Sequence, residues 1–261
     1  MPKHTKPQLL SSQQSASRQK NLWIFFAISL ALSIPVFLST PPDAPVASLL
    51  GTFFIGSYIP AILAVIFVSI EKDKKESTAF WARVGALRVG WIWWLFAILF
   101  PTVVWLIAGV VFLVQGQDWP ASYAALGFFP IALLIYFGEE IGWRGFALPR
   151  LLQKYDAVTA SLILGAVWGA FHIALNIHRP FFAALNFAFL VAISVILTWL
   201  FLRTRSVILT AVLYATFNTW LQVFLIGEKT EMQFMVPLAI IWLVAMYLIY
   251  RYGTSLSDGT K

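Results

Sequence analysis

Long apolar runs separated by short polar ones dominate the chain. Eight are long enough to predict membrane-spanning helices, at residues 22–41, 47–70, 88–115, 122–148, 157–177, 181–202, 206–226 and 233–252. A helix rises about 1.5 Å per residue, so roughly 20 apolar residues cross the hydrocarbon layer. The predicted fold class is all-α: a polytopic membrane protein of about eight transmembrane helices, placed in the cell membrane as a multi-pass chain. Pro35, Pro60, Pro101, Pro130 and Pro237 fall inside these runs, where neighbouring groups in a bundle rescue the carbonyls that proline frees. The polar stretch at residues 1–21 has no apolar periodicity and reads as a basic flexible arm against anionic lipid. EKDKKESTAFWARVGALR (residues 71–88) is charged and then amphipathic, the pattern of a segment lying along the membrane surface. WIWWLF (residues 91–96) places tryptophans where an interfacial aromatic belt is expected. No internal repeat is evident, which weighs against a transporter built from duplicated halves.

Composition supports the membrane reading: 60% of residues are hydrophobic and 11% charged, against about 25% charged in soluble domains. The absence of cysteine removes disulfides and thiolate chemistry and restricts any metal to His, Asp, Glu or Asn ligands. A net charge of +7 reflects basic loops on one side rather than a nucleic-acid partner. If the N-terminus is cytoplasmic, fifteen of the eighteen basic residues fall on the inner side, only Arg179 and Lys229 fall outside, and Arg144 lies within a span. Both termini are therefore expected in the cytoplasm, as an even number of spans requires.

Polar residues interrupt the spans at three places. FGEEIGWRGF (residues 137–146) puts Glu140 and Arg144 four apart on one helical face, with the glutamate N-terminal as the stronger orientation prefers. Glu139 has no such partner in its own helix. At membrane depth it must find one on another helix. VWGAFHIALN (residues 167–176) aligns Trp168, His172 and Asn176 on one face, and VLYATFNTW (residues 212–220) does the same for Tyr214 and Asn218. Asn and Tyr are common interhelical glue. A carboxylate, an imidazole and an amide on three different helices can also assemble a water-activating pair with an oxyanion donor. The pairs Gly138/Gly142 and Gly165/Gly169 predict close helix packing, with spans four and five touching beside the polar residues. Measured along each span from its cytoplasmic end, Glu139 lies about 14 Å deep, Asn218 about 18 Å and His172 about 22 Å, which permits one shared site.

These three motifs resemble the CPBP family, the CAAX prenyl-endopeptidases and bacteriocin-processing enzymes also called Abi proteins. Glu139-Glu140-Ile-Gly-Trp-Arg144 matches the family's EExxxR element in full. Trp168-Gly-Ala-Phe-His172 resembles its aromatic-xxx-His element, with Trp where Phe is often found. Tyr214-Ala-Thr-Phe-Asn218 resembles its HxxxN element but carries Tyr at the histidine position. The resemblance makes residues 120–225 a catalytic core of helices four to seven. Residues 22–119 become accessory helices, 226–252 an eighth span and 253–261 a short tail. It implies an intramembrane endopeptidase acting on a membrane-associated, possibly prenylated, protein or peptide in the lipid bilayer. In that scheme Glu139 and His172 activate water, Glu140 with Arg144 orders the site, and Asn218 and Tyr214 stabilise the oxyanion.

A zinc mechanism typically uses three protein ligands. With Tyr214 in place of a histidine, His172 is the only motif histidine and Glu139 its nearest partner in role. Hydrolysis without a cofactor is therefore the expectation, the alternative being a divalent metal such as zinc at Glu139 and His172. Two other functions stay open: a catalytically weak family member acting as a bacteriocin-immunity or scaffolding protein, and a proton-coupled transporter using the glutamates and His172 as a relay.

Overall fold

The computed structural model describes residues 12–39, 46–116, 123–224 and 230–257. It is all-helical among these residues. The order is α1 (Ser12–Leu38), α2 (Val46–Ile70), α3 (Lys74–Val84), α4 (Trp91–Val114) and α5 (Phe129–Glu140). A π-helical turn (Ile141–Ala147) joins α5 to α6 (Leu148–Leu151). Then follow α7 (Ala157–Ile173), α8 (Pro180–Thr204), α9 (Val207–Phe224) and α10 (Thr230–Tyr252). Among the described residues, eight helical segments are long and apolar enough to cross a membrane, in register with the predicted spans: all but α3, with α5, the π turn and α6 counting together as the fourth. The chain is a multi-pass membrane protein.

Helix ends follow local chemistry. Asp73 caps α3, accepting hydrogen bonds from the Lys75 and Glu76 amides, and Asp156 caps α7 through the Thr159 amide. Prolines open α5, α6 and α8, where the missing N–H costs nothing. Pro130 thus sits in the first turn of α5 and does not kink a span interior, unlike Pro35, Pro60, Pro101 and Pro237.

The expected arm at residues 1–21 is corrected in its second half. Residues 1–11 lie outside the described residues, but helix α1 already begins at Ser12. Tertiary contacts hold this polar turn. Arg18 pairs with Asp73, Gln19 donates to the Arg150 carbonyl at 2.8 Å, and Asn21 donates to Glu71 at 3.2 Å. At the same end of the bundle Arg83 pairs with Glu76 at 2.8 Å and Arg150 with Glu71 at 2.7 Å. Arg150, expected in a loop, is fully buried over the Phe146 ring. Part of the basic excess therefore locks helices together. α3 lies against this network with Phe80 buried and Trp81 exposed, the two-sided burial its amphipathic sequence predicts.

α9 packs against α4, α5 and α8 and is the most buried span. α2 lies along α1 and α5, and α7 lies along α8 and α1. The glycine pairs work differently from expectation. A Cβ on Gly138 would sit 2.6 Å from the Tyr58 ring, and one on Gly142 would sit 2.4 Å from Pro60 Cβ, so both clear a path for α2. Gly165 and Gly169 do the same for α8, at Val191 and Phe187. Spans four and five instead meet through large side chains such as Trp143 and Phe171, whose ring centres are 5.5 Å apart. Periodicity marks a small-residue face but not the helix that fills it.

Candidate active site

The last turn of α5 carries Glu139 and Glu140 inward, both buried. The π turn that follows inserts an extra residue per turn, a feature frequent at functional sites. It holds Gly142, Trp143, Arg144, Gly145 and Phe146, all buried. Arg144 Nη1 donates to Glu140 Oε1 at 2.6 Å, so the pair read from four-residue spacing forms across the α-to-π junction. The same guanidinium donates to Ser194 Oγ of α8 at 3.3 Å and lies 4.4 Å from the centre of the Trp168 ring.

Glu139 finds its partners on other helices, as membrane burial requires. Its Oε1 accepts from Ser57 Oγ of α2 at 2.7 Å, and its Oε2 accepts from Trp168 Nε1 of α7 at 2.7 Å. His172 follows Trp168 by one turn, and its Nε2 lies 4.0 Å from Glu139 Oε2. The His172 Nδ1 is 3.0 Å from the Trp168 carbonyl oxygen. A carbonyl only accepts, so Nδ1 carries the hydrogen, and in the neutral form of the ring the lone pair is on Nε2, the nitrogen nearer Glu139. The depths of about 14 and 22 Å counted for Glu139 and His172 along their spans thus meet at one place.

From α9, the Tyr214 ring packs against Trp168, with centres 4.6 Å apart, and against Tyr136 at 4.5 Å. One turn later Asn218 Nδ2 donates to the Tyr214 carbonyl at 2.9 Å. Asn176, which shares a face with His172, donates back to the His172 carbonyl at 3.2 Å and so terminates its helix. Glu140 and Arg144 are wholly buried, whereas His172 and Asn218 retain 8% and 9% of their surface. The cluster therefore meets its surroundings through His172 and Asn218. A separate apolar cavity of about 440 Å³ lies between the end of α7 and the start of α8, lined by Ile173, Ile177, Pro180, Ala183, Ala184 and Phe187 and by no residue of the cluster.

Sequence reasoning missed Ser57, Ser194 and the donor role of the Trp168 indole. Ser57 left no distinguishing signal, since Ser48, Thr52, Tyr58 and Ser69 carry hydroxyls in the same span. As for a metal, Glu139 and His172 offer two ligands. No three His, Asp or Glu side chains converge among the described residues, so the donor set falls short of the usual three-ligand zinc centre.

Residues 118–220 match the family described as type II CAAX prenyl endopeptidase Rce1-like. This segment contains all three motifs and bears out the CPBP resemblance. The chain is also 26% identical over 137 residues to the CAAX prenyl protease 2 of Methanococcus maripaludis, an alignment covering 47% of this chain and 49% of that protein. The chain thus spans about half the length of the curated relative it matches.

Proposed function

We propose that this chain is an intramembrane endopeptidase of the cell membrane, hydrolysing a peptide bond in a membrane-associated protein or peptide with water activated by Glu139 and His172. The observation that carries this reading is the pairing of Glu139 Oε2 and His172 Nε2 at 4.0 Å, with the imidazole tautomer set by the Trp168 carbonyl. The gap is too long for a direct hydrogen bond and suits one water molecule in reach of both. The water gives one proton to His172 Nε2 as its oxygen attacks the scissile carbonyl, while Glu139 holds the second hydrogen and the attack direction. Oxyanion charge is met by the second amide hydrogen of Asn218 and the hydroxyl of Tyr214. Collapse then returns the proton from His172 to the leaving amine. Glu140 and Arg144 neutralise each other and hold the π turn. The step needs no group beyond the chain's own residues.

The apolar cavity between the end of α7 and the start of α8 supports a hydrophobic or prenylated substrate segment, and the collection of basic residues at one end of the bundle supports cytoplasmic termini. The test is cleavage of a membrane-tethered peptide by purified protein in detergent or liposomes. Glu139→Gln is expected to abolish it, and undiminished activity in that variant refutes the assignment.

One observation favours a second reading, a binding-only family member serving immunity or scaffolding. At the position of the family histidine stands Tyr214, packed between Trp168 and Tyr136 and unable to carry positive charge. If Tyr214→His raises hydrolysis while Glu139→Gln leaves the cellular phenotype intact, binding is the better description.

A further inference from the structure

Glu139 is held by two donors that come from different helices, and one lies outside the segment that carries the motifs. Ser57 Oγ reaches Oε1 and Trp168 Nε1 reaches Oε2, each at 2.7 Å. Ser57 and Trp168 have no exposed surface, so neither bond competes with bulk water. Indole N–H is a donor only, which fixes which oxygen faces α7. Two donors on opposite oxygens define the plane of the carboxylate, and the oxygen held by Trp168 is the one that faces His172.

The placement of Ser57 is itself built. Gly138 and Gly142 flank Glu139 and Glu140, and their missing side chains admit Tyr58 and Pro60 of α2 to contact. Tyr58 adds a hydrogen bond to the Leu134 carbonyl at 3.0 Å, pinning α2 one turn from Ser57's bond. A Cβ at Gly142 would meet the Pro60 backbone at 2.8 Å and push α2 away, drawing the hydroxyl out of reach, whereas one at Gly138 would displace the Tyr58 ring.

We infer that Ser57 is a positioning residue for hydrolysis, aiming the Glu139 carboxylate at the water site jointly with Trp168. This inference rests on the endopeptidase reading above. A carboxylate released from one donor rotates about its terminal torsion, and misplacement by about 1 Å costs on the order of 100-fold in rate. The loss falls on turnover rather than binding, because Ser57 touches Glu139 and not the substrate.

The experiment uses the full chain in liposomes with a membrane-tethered peptide, reading kcat and KM separately. Ser57→Ala is expected to lower kcat by about 10- to 100-fold with KM changed less than about twofold, and Ser57→Thr, which keeps the hydroxyl, to recover most of the loss. Infrared difference spectra between wild type and Glu139→Gln identify the Glu139 carboxyl band, and Ser57→Ala must shift that band. Unchanged kcat in Ser57→Ala overturns the proposal, as does an unshifted band. If the band shifts but the wild type cleaves no peptide, the hydrolase reading fails while the Ser57 contact stands, so the two failures are told apart.

Discussion

Replacing Arg144 by methionine keeps most of the side-chain volume and removes the charge that faces Glu140. The two groups are 2.6 Å apart with no surface exposed. Unit charges with centres about 4 Å apart attract by about 4 kcal/mol at an effective dielectric near 20. The guanidinium also lies over the Trp168 ring, a contact contributing roughly 0.5–2 kcal/mol. Desolvation offsets much of this in the intact protein, so the pair adds little net stability. Removing one partner alone leaves an uncompensated charge, at a cost of about 3–5 kcal/mol. Arg144→Met is therefore expected to destabilise by about that amount, and Glu140→Gln together with Arg144→Met to recover at least about 2 kcal/mol of it. The assay is unfolding by SDS titration in mixed micelles, followed by circular dichroism and arranged as a double-mutant cycle. Additive effects, with coupling below about 0.5 kcal/mol, refute the assignment of Glu140 and Arg144 as a mutually neutralising structural pair.

Two further outcomes follow from the packing and the caps. Gly142→Ala places a Cβ 2.4 Å from Pro60 Cβ and 2.8 Å from its carbonyl carbon, and the stiff proline backbone cannot yield. The expected loss is about 1–3 kcal/mol in the same titration, whereas Gly51→Ala, with nothing within 4 Å, should be neutral or stabilising by up to about 1 kcal/mol. The Glu76 amide, opposed by partial burial and aided by the Arg18 guanidinium and the Lys75 amide, holds the Asp73 carboxyl below the usual carboxylate range. A depressed folded value means this contribution is present above about pH 4 and fades as pH falls further. Helix α3 should thus loosen on acidification, read by hydrogen exchange at its amides, and Asp73→Ala should cost about 1 kcal/mol at neutral pH and flatten that acid response.

The spans were legible because lipid imposes a length: about 20 apolar residues, wherever the helix packs. The Glu140–Arg144 pair was legible because its information is local, four residues on one face. What depends on distant partners was not. Arg18, Gln19 and Asn21 look like part of an arm until Asp73, Glu71 and the Arg150 carbonyl, all from later elements, receive their side chains. The π turn has no signature in IGWRGFA that separates it from an α-helix. It delivers Trp143 against Phe25, Phe26 and Phe171, an aromatic cluster drawn from α1 and α7.

The same distinction bears on where the site ends. Glu139, Glu140, Arg144, Trp168, His172, Tyr214 and Asn218 all lie within residues 118–220, the segment that matches the family. Yet Ser57, which holds one of Glu139's two oxygens, lies in the second span, 82 residues away, outside the segment that carries the motifs. Gly138 and Gly142 show from inside the motif why that span matters: they are small on the face that Tyr58 and Pro60 fill. A carboxylate pair flanked by glycines at this spacing therefore encodes two things at once, an ion pair within its own helix and a berth for another. The second span, which reads as accessory, is part of the geometry by which Glu139 is aimed.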